Sequence, residues 1–201
     1  MVWGLVLGLV WGVCSALAQS SAVQSSGAQN TPAQSAVAQS PEAQSSRPEV
    51  ASLKGAKPSL PVRLRVWGFQ VYDARLWVFP AFRHGQYPEH AFALELQYLR
   101  RLEGAAIASS SLSEMRRVGS FTEAQAQSWE AALRGIFPDI GPGERITGVN
   151  LPGVGVEFWV NGQRVGSVAD PLFARLFFGI WLNERTSEPK LRTQLLQGLA
   201  P

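Results

Sequence analysis

Between Val62 and Phe79 polar and apolar positions alternate, break at Trp67-Gly68, and alternate again. A period of two marks a strand whose two faces meet different surroundings, so this stretch predicts two β-strands joined by a bend. In the first, Arg63 and Arg65 share one face, Leu64 and Val66 the other. In the second, Phe69, Val71 and Asp73 lie on one face, Gln70, Tyr72 and Ala74 on the other. Phe92, Leu94, Leu96 and Tyr98 repeat the pattern and predict a half-buried strand over Phe92–Tyr98. Further strands are expected at Arg145–Asn150, Val154–Val160 and Arg164–Val168. The last two should close through Asn161-Gly162, a pair suited to the positive φ angles of a type I′ turn.

Elsewhere the apolar spacing lengthens to three and four. Ala105, Ala108 and Leu112 predict a helix from Gly104 to Met115, weakened by the serines Ser109–Ser111. Thr122 is a suitable N-cap for an amphipathic helix, Glu123–Phe137, whose apolar stripe runs through Ala126, Trp129, Leu133 and Phe137. Pro138 and Gly141-Pro142-Gly143 end it. Asp170 caps a final helical region with a broad stripe of Leu172, Phe173, Leu176, Phe177, Ile180 and Trp181, and Pro189 opens a short helix to Leu199. The order is strands, two helices, strands, two helices. It predicts an α+β domain with helices packed on one face of a largely antiparallel sheet.

The N-terminal quarter obeys neither period. Met1–Ala18 is apolar, and Ala16-Leu17-Ala18 offers the small-x-small pattern of a secretory signal peptide cut before Gln19. No Lys or Arg precedes the apolar run, and the first charged residue is Glu42. Trp11-Gly12-Val13 before Cys14 is not a lipobox. A retained membrane anchor is the alternative, since about 20 apolar residues are needed to span a bilayer. Residues 19–52 are Ala/Gln/Ser/Pro-rich, with Gln19, Gln24, Gln29, Gln34, Gln39 and Gln44 at five-residue spacing. Such a segment cannot bury enough apolar surface to offset its ordering entropy and reads as a flexible linker. One folded domain, residues 53–199, remains, in a protein expected to be exported to the periplasm.

Composition narrows the function. The formal charge of +3 is small and scattered, and Arg100-Arg101 and Arg116-Arg117 are isolated pairs, so nucleic acid is not an expected partner. The single cysteine lies in the N-terminal segment, so neither a disulfide nor thiol chemistry is expected in the domain. His84 and His90 have no set of metal-ligating neighbours, and Pro152-Gly153-Val154-Gly155 reads as a turn rather than a dinucleotide fingerprint, so no cofactor is expected. Ser109–Ser111 have no evident base, and Tyr72 and Tyr98 suit core tyrosines. What stands out is Arg63 and Arg65. A guanidinium on an apolar sheet is costly unless an anion or a hydrogen-bonding group meets it. Either the arginines face solvent, or they wall an anion site.

Arg63-Leu64-Arg65, Gly68–Trp77 and Leu96–Leu102, followed by Pro142–Arg145, Pro152–Gly155, Asn161-Gly162, Ile180–Asn183, Leu191-Arg192 and Leu195–Gly198, occur here in an order and spacing that resemble the exported bacterial branch of the chalcone isomerase-like family. The resemblance implies an open-faced β-sandwich, a large antiparallel sheet with helices layered against it and a cleft between. Catalytic members cyclise a chalcone with an arginine on the opening hairpin, a threonine opposite, a Tyr-x-x-Lys-x-x-x-Asn run on the first helix and a later hydroxyl. By alignment the arginine corresponds to Arg63 or Arg65. The threonine position holds Tyr72, the helix run holds Ile107, Ser110 and Glu114, and the later hydroxyl is replaced by Ile180. Without the lysine and tyrosine the site lacks the groups that stabilise a developing enolate.

The resemblance therefore implies a non-catalytic domain of the family's fatty-acid-binding branch, in which Arg63 or Arg65 and Tyr72 grip a small apolar carboxylate. Such a charge-assisted contact contributes about 1.5–3 kcal/mol. Burial of about a dozen methylenes adds roughly 10 kcal/mol before entropic costs. An isomerase or lyase acting on another substrate, and a structural or partner-binding role, are the alternatives. A wide apolar cleft at the Arg/Tyr pair would favour the binder, and a filled one the structural role.

Overall fold

In the computed structural model, which describes residues 47–201, seven strands form one antiparallel sheet. They are β1 (Lys57–Pro58), β2 (Val62–Val66), β3 (Phe69–Val78), β4 (Phe92–Tyr98), β5 (Arg145–Leu151), β6 (Gly155–Val160) and β7 (Gln163–Val168). The order is β1-β3-β4-β5-β6-β7, with β2 sharing the β1 edge of β3. Between β4 and β5 come α1 (Gly104–Val118) and α2 (Glu123–Ile136); after β7 come α3 (Pro171–Leu182) and α4 (Pro189–Leu195). The α+β arrangement, helices layered on one face of a large antiparallel sheet, is the one the strand-helix order predicts.

Side-chain chemistry fixes the ends of these elements. Thr122 and Gln125 form a reciprocal capping box at the start of α2: the Gln125 N–H donates to Thr122 Oγ1 at 3.2 Å, and the Thr122 N–H to Gln125 Oε1 at 2.9 Å. Asp170 Oδ1 accepts from the backbone of Leu172 and Phe173, while its Oδ2 accepts from the Trp129 indole at 3.1 Å, tying α3 to α2. The β6–β7 turn at Asn161-Gly162 has φ of 50° and 85°. The β2–β3 turn at Trp67-Gly68 has nearly the same angles, 49° and 83°.

Cross-strand register sets what each sheet face receives. Leu64, Tyr72, Tyr98, Leu96, Ile146 and Phe158 point to the helices, and Phe92, Phe158, Phe173, Phe177 and Phe178 fill the space with ring centroids 4.7–6.3 Å apart. α3 is apolar nearly all round because it lies between the sheet and α1, and Phe173, Ala174, Leu176, Phe177, Phe178, Gly179, Trp181 and Leu182 are all buried. Gly179 permits that approach: a Cβ there would stand 2.5 Å from Val118 on α1.

Two expectations are corrected on the opposite face. Ordered structure begins ahead of residue 53, the expected domain boundary: Glu49 and Val50 are buried in a short 3-10 turn, Pro48–Val50. Val50, Leu53 and Ala56 pack as a strap on Trp77, Ala93 and Val149. For the same reason β4 is buried on both faces rather than one. The strap carries charge under cover. Glu49 and Glu95, 1% and 3% exposed, meet Arg145 at 3.2 and 4.0 Å, and Arg47 also pairs with Glu95. The rest of the expected linker and the expected signal peptide lie outside the described residues.

Candidate functional site

The β2–β3 hairpin decides where the expected site residues stand. Residues directly opposite in an antiparallel pair share a face. Leu64 opposes Tyr72, and Arg63 opposes Asp73. Leu64 and Tyr72 therefore turn to the helices, and Arg63 turns away. The register then shifts between Leu64 and Arg65, so that Arg65 opposes Gln70 and Val71 is the extra residue of a β-bulge. The bulge resets the simple alternation and brings Gln70 to the outer face beside Asp73. There Arg63 donates from Nε and Nη2 to the two Asp73 oxygens at 2.7 and 2.8 Å, and from Nη1 to Gln70 Oε1 at 2.7 Å. A planar guanidinium matches that fork. Arg65 is exposed and has no ion-pair partner among the described residues.

The expected clamp is thus not assembled. Arg63 and Arg65 occupy one face of the sheet, Tyr72 the other, and the pleat of β2 keeps them apart.

Tyr72 has different company. Trp181 on α3 donates its indole N–H to the Tyr72 hydroxyl at 2.9 Å, and the Tyr98 ring meets Tyr72 edge-on at 5.9 Å. No acceptor for the Tyr72 proton is found among the described residues. Burial holds both phenols well above their ordinary value of 10.0, in Tyr72 with a smaller opposing effect from the Trp181 hydrogen bond and further upward pushes from Glu188 and Glu114. Both stay protonated at neutral pH. Burial, and then Glu114, also raise the Glu188 carboxyl above the usual range. Arg117 stands 3.5 Å from Glu114, one turn along α1. The polar groups around Tyr72 are therefore chiefly acceptors rather than guanidinium donors.

The positions aligned with family catalytic residues lie on α1 and α3. Ile107 on α1 and Ile180 on α3 are half-buried and pack on the main core, as do Val66 and Tyr72. Ser110 and Glu114 are half-buried on α1. An apolar rim with a phenol and two carboxylates is what these elements offer. A cavity of about 410 Å³ lies at the start of α3, against Pro88, Asn150, Pro171 and Arg175; another of about 300 Å³ lies beneath the strap, against Val50, Leu53 and Trp77. Neither is lined by Tyr72.

Sequence reasoning missed Trp181 as the partner of Tyr72, assigning it only to an apolar stripe, although a buried indole N–H requires an acceptor. It also missed that the Glu114 charge acts on Glu188, although the two are separated in the chain by two helices and three strands. For the strap there was a signal: Arg47 and Glu49 are charges at the end of a nearly uncharged tract.

Comparisons with known proteins agree with this architecture. A family model described as chalcone isomerase-like matches residues 62–197. A Haemophilus influenzae protein, described only as uncharacterized, is 30% identical over 133 residues, which are 65% of this chain and 63% of the relative. The chain thus spans a little under two thirds of that relative's length. Among solved structures, an Arabidopsis thaliana fatty-acid binding protein superposes with a TM-score of 0.52 at 15% identity, over 68% of this chain and 83% of that one. At that identity the likeness concerns the fold.

Proposed function

The chain belongs to the chalcone isomerase-like family, and from that premise we propose that it acts by binding a long apolar molecule of the fatty-acid type, without catalysis. The seam bordered by Val66 and Tyr72 on the hairpin and Ile107 and Ile180 on the helices is the site we assign to it. The observation that carries this reading is the Tyr72 hydroxyl, which accepts from Trp181 and keeps its own proton for a ligand. The same-fold neighbour described as a fatty-acid binding protein supports it. A phenol held above its ordinary pKa is a poor base, and the aligned lysine and tyrosine positions hold Ser110 and Ile107. Both facts favour binding over turnover.

The surroundings also set the form of the head group. With Arg63 and Arg65 on the far face and the charges of Glu114 and Glu188 acting on Tyr72, the cation the described residues bring to Glu114 is Arg117, already engaged by that carboxylate, which leaves an ionised ligand carboxylate poorly matched. A protonated carboxyl or a hydroxyl, accepting from Tyr72 and donating to a carboxylate, suits the site better. The reading of Met1–Ala18 as an export signal would place this binding in the periplasm. A structural role is the second reading, and the close aromatic packing of the helix face supports it.

The test is native mass spectrometry of the full-length protein with solvent extraction of anything bound, followed by titration with lauric acid and dodecanol. Tyr72→Phe should weaken binding about fivefold, the worth of one hydrogen bond. Lauric acid should bind more tightly at pH 5 than at pH 8, and Arg63→Ala/Arg65→Ala should leave affinity unchanged. A protein that is empty and ignores both probes would support the structural role instead. Loss in the arginine variant with none in Tyr72→Phe would restore the carboxylate clamp on the other face.

A further inference from the structure

A second surface, which adjoins the seam at Val66, lies at the tip of the β2–β3 hairpin. β4 pairs with β3 only from Tyr72 onward, and Leu99 donates to the Val71 carbonyl just past the last pair. Residues 66–70 therefore project as a two-stranded ribbon beyond the sheet. Its tip carries two large apolar rings in water: Trp67 is 65% exposed and Phe69 64%. Most of the other large apolar side chains of the domain are buried or half-buried.

The turn itself is unfavourable for this residue. Trp67 sits at φ 49°, in the left-handed region where an L side chain crowds its own backbone, and the equivalent β6–β7 turn uses asparagine at φ 50°. A tryptophan here combines backbone strain with an exposed ring, and strain of this kind collects at functional positions. Around the rings stand guanidinium groups. Arg100 lies over the Phe69 ring, 5.6 Å from its centroid, and neither Arg100 nor Arg65 has a carboxylate partner among the described residues. Arg63 and Arg101 flank them, already paired with Asp73 and Asp139.

We propose that this hairpin tip docks the protein on an anionic lipid surface, with Trp67 and Phe69 entering the headgroup–acyl boundary and Arg65 and Arg100 meeting lipid phosphates. Tryptophan is favoured at that boundary because its ring is apolar and its N–H keeps a polar contact. Unpaired arginines are drawn to the negative potential of such a surface. A projecting tip that carries exposed rings together with unpaired cations suits a soft planar anionic surface better than a peptide.

The experiment is co-sedimentation of the full-length protein with phosphatidylcholine vesicles and with phosphatidylcholine–phosphatidylglycerol vesicles. Amide hydrogen exchange over residues 62–72 is followed in parallel. Binding should favour the anionic vesicles, weaken in high salt, and slow exchange at the tip. Arg65→Gln and Arg100→Gln should each lower the anionic preference about fivefold. Trp67→Asn restores the residue that this turn prefers, so it should keep or raise the thermal midpoint while lowering vesicle binding. Phe69→Thr should lower it further. Vesicle binding that is unchanged in Trp67→Asn/Phe69→Thr, with exchange at the tip unaltered, would assign the attachment to the N-terminal segment and overturn the proposal. So would absence of binding to either vesicle.

Discussion

Alternate residues of β3, β4 and β5 enter two layers with different means of cohesion. Toward the helices, Ala74, Leu76, Leu94 and Ile146 meet a packed set of phenylalanine rings. Toward the strap, Glu95 and Arg145 from the same strands meet Glu49 and Arg47 beside the Trp77 ring. The first layer needs only shape and apolarity, so many sequences could fill it. The second needs particular charges to meet, because each is costly to bury alone. This contrast also explains the fate of the arginine expectation. Both layers draw on the hairpin, and β2 delivers its aliphatic side chains to the first and its arginines to the outer side.

The largest effect should come from the helix layer. Phe178 is fully buried, 4.7 Å from the Phe92 ring and within van der Waals contact of where a Gly148 Cβ would stand. Phe178→Ala should cost about 3–5 kcal/mol of unfolding free energy in urea. A cost below 1 kcal/mol would mean that the layer is not tightly packed and would reopen the question of a cleft. The strap layer should respond less, and differently. Glu95→Ala should cost about 2 kcal/mol by leaving Arg47 and Arg145 short of a partner. Adding Arg47→Met should recover part of that loss, since removing both members of a buried pair is milder than removing one, and Arg145 keeps Glu49. A simple sum of the two single effects would show that the charges are not coupled.

A pH dependence that is absent at neutral pH belongs to the helix layer alone. Tyr72, Tyr87 and Tyr98 are the only tyrosines, and burial raises each above the ordinary value of 10.0. A raised folded-state pKa leaves stability unaffected below the unfolded value, where both states keep the proton. Above it the unfolded chain ionises first and is favoured. Chemical-denaturation stability should therefore be level up to about pH 10 and decline beyond it, by at most about 1.4 kcal/mol per pH unit for each group. Tyr98→Phe should make the decline shallower, while Arg145→Met should not change its slope.

Elements with a strong local signal were legible from the chain. The N-cap at Thr122, the turn at Asn161-Gly162, the cap at Asp170 and the α3 stripe all rest on residues a few positions apart. What escaped needed distant partners or a change of phase. The bulge at Val71 has no composition cue, yet it moves Gln70 across the sheet. The strap escaped because Val50, Leu53 and Ala56 are too few to show a period, and their purpose exists only opposite Trp77 and Val149. The site was legible by half: Tyr72 faces the helices, but Trp181, which donates to it, and Glu114 and Glu188, whose charges act on it, come from three separate later segments.

The strap has a consequence for the order in which the chain can take shape as it is made. Glu49 is among the first of the described residues, yet its partner Arg145 lies 96 positions later, and Pro48 packs beside Gly162. Until β5, β6 and the β6–β7 turn have been synthesised the strap has nowhere to close, and Trp77 and Ala93 remain uncovered while more than half of the domain is still to come. Long-range closure of this kind is slow. The segment that arrives first is thus among the last to be fastened, and through that interval the outer face of the growing sheet is the surface a chaperone would find.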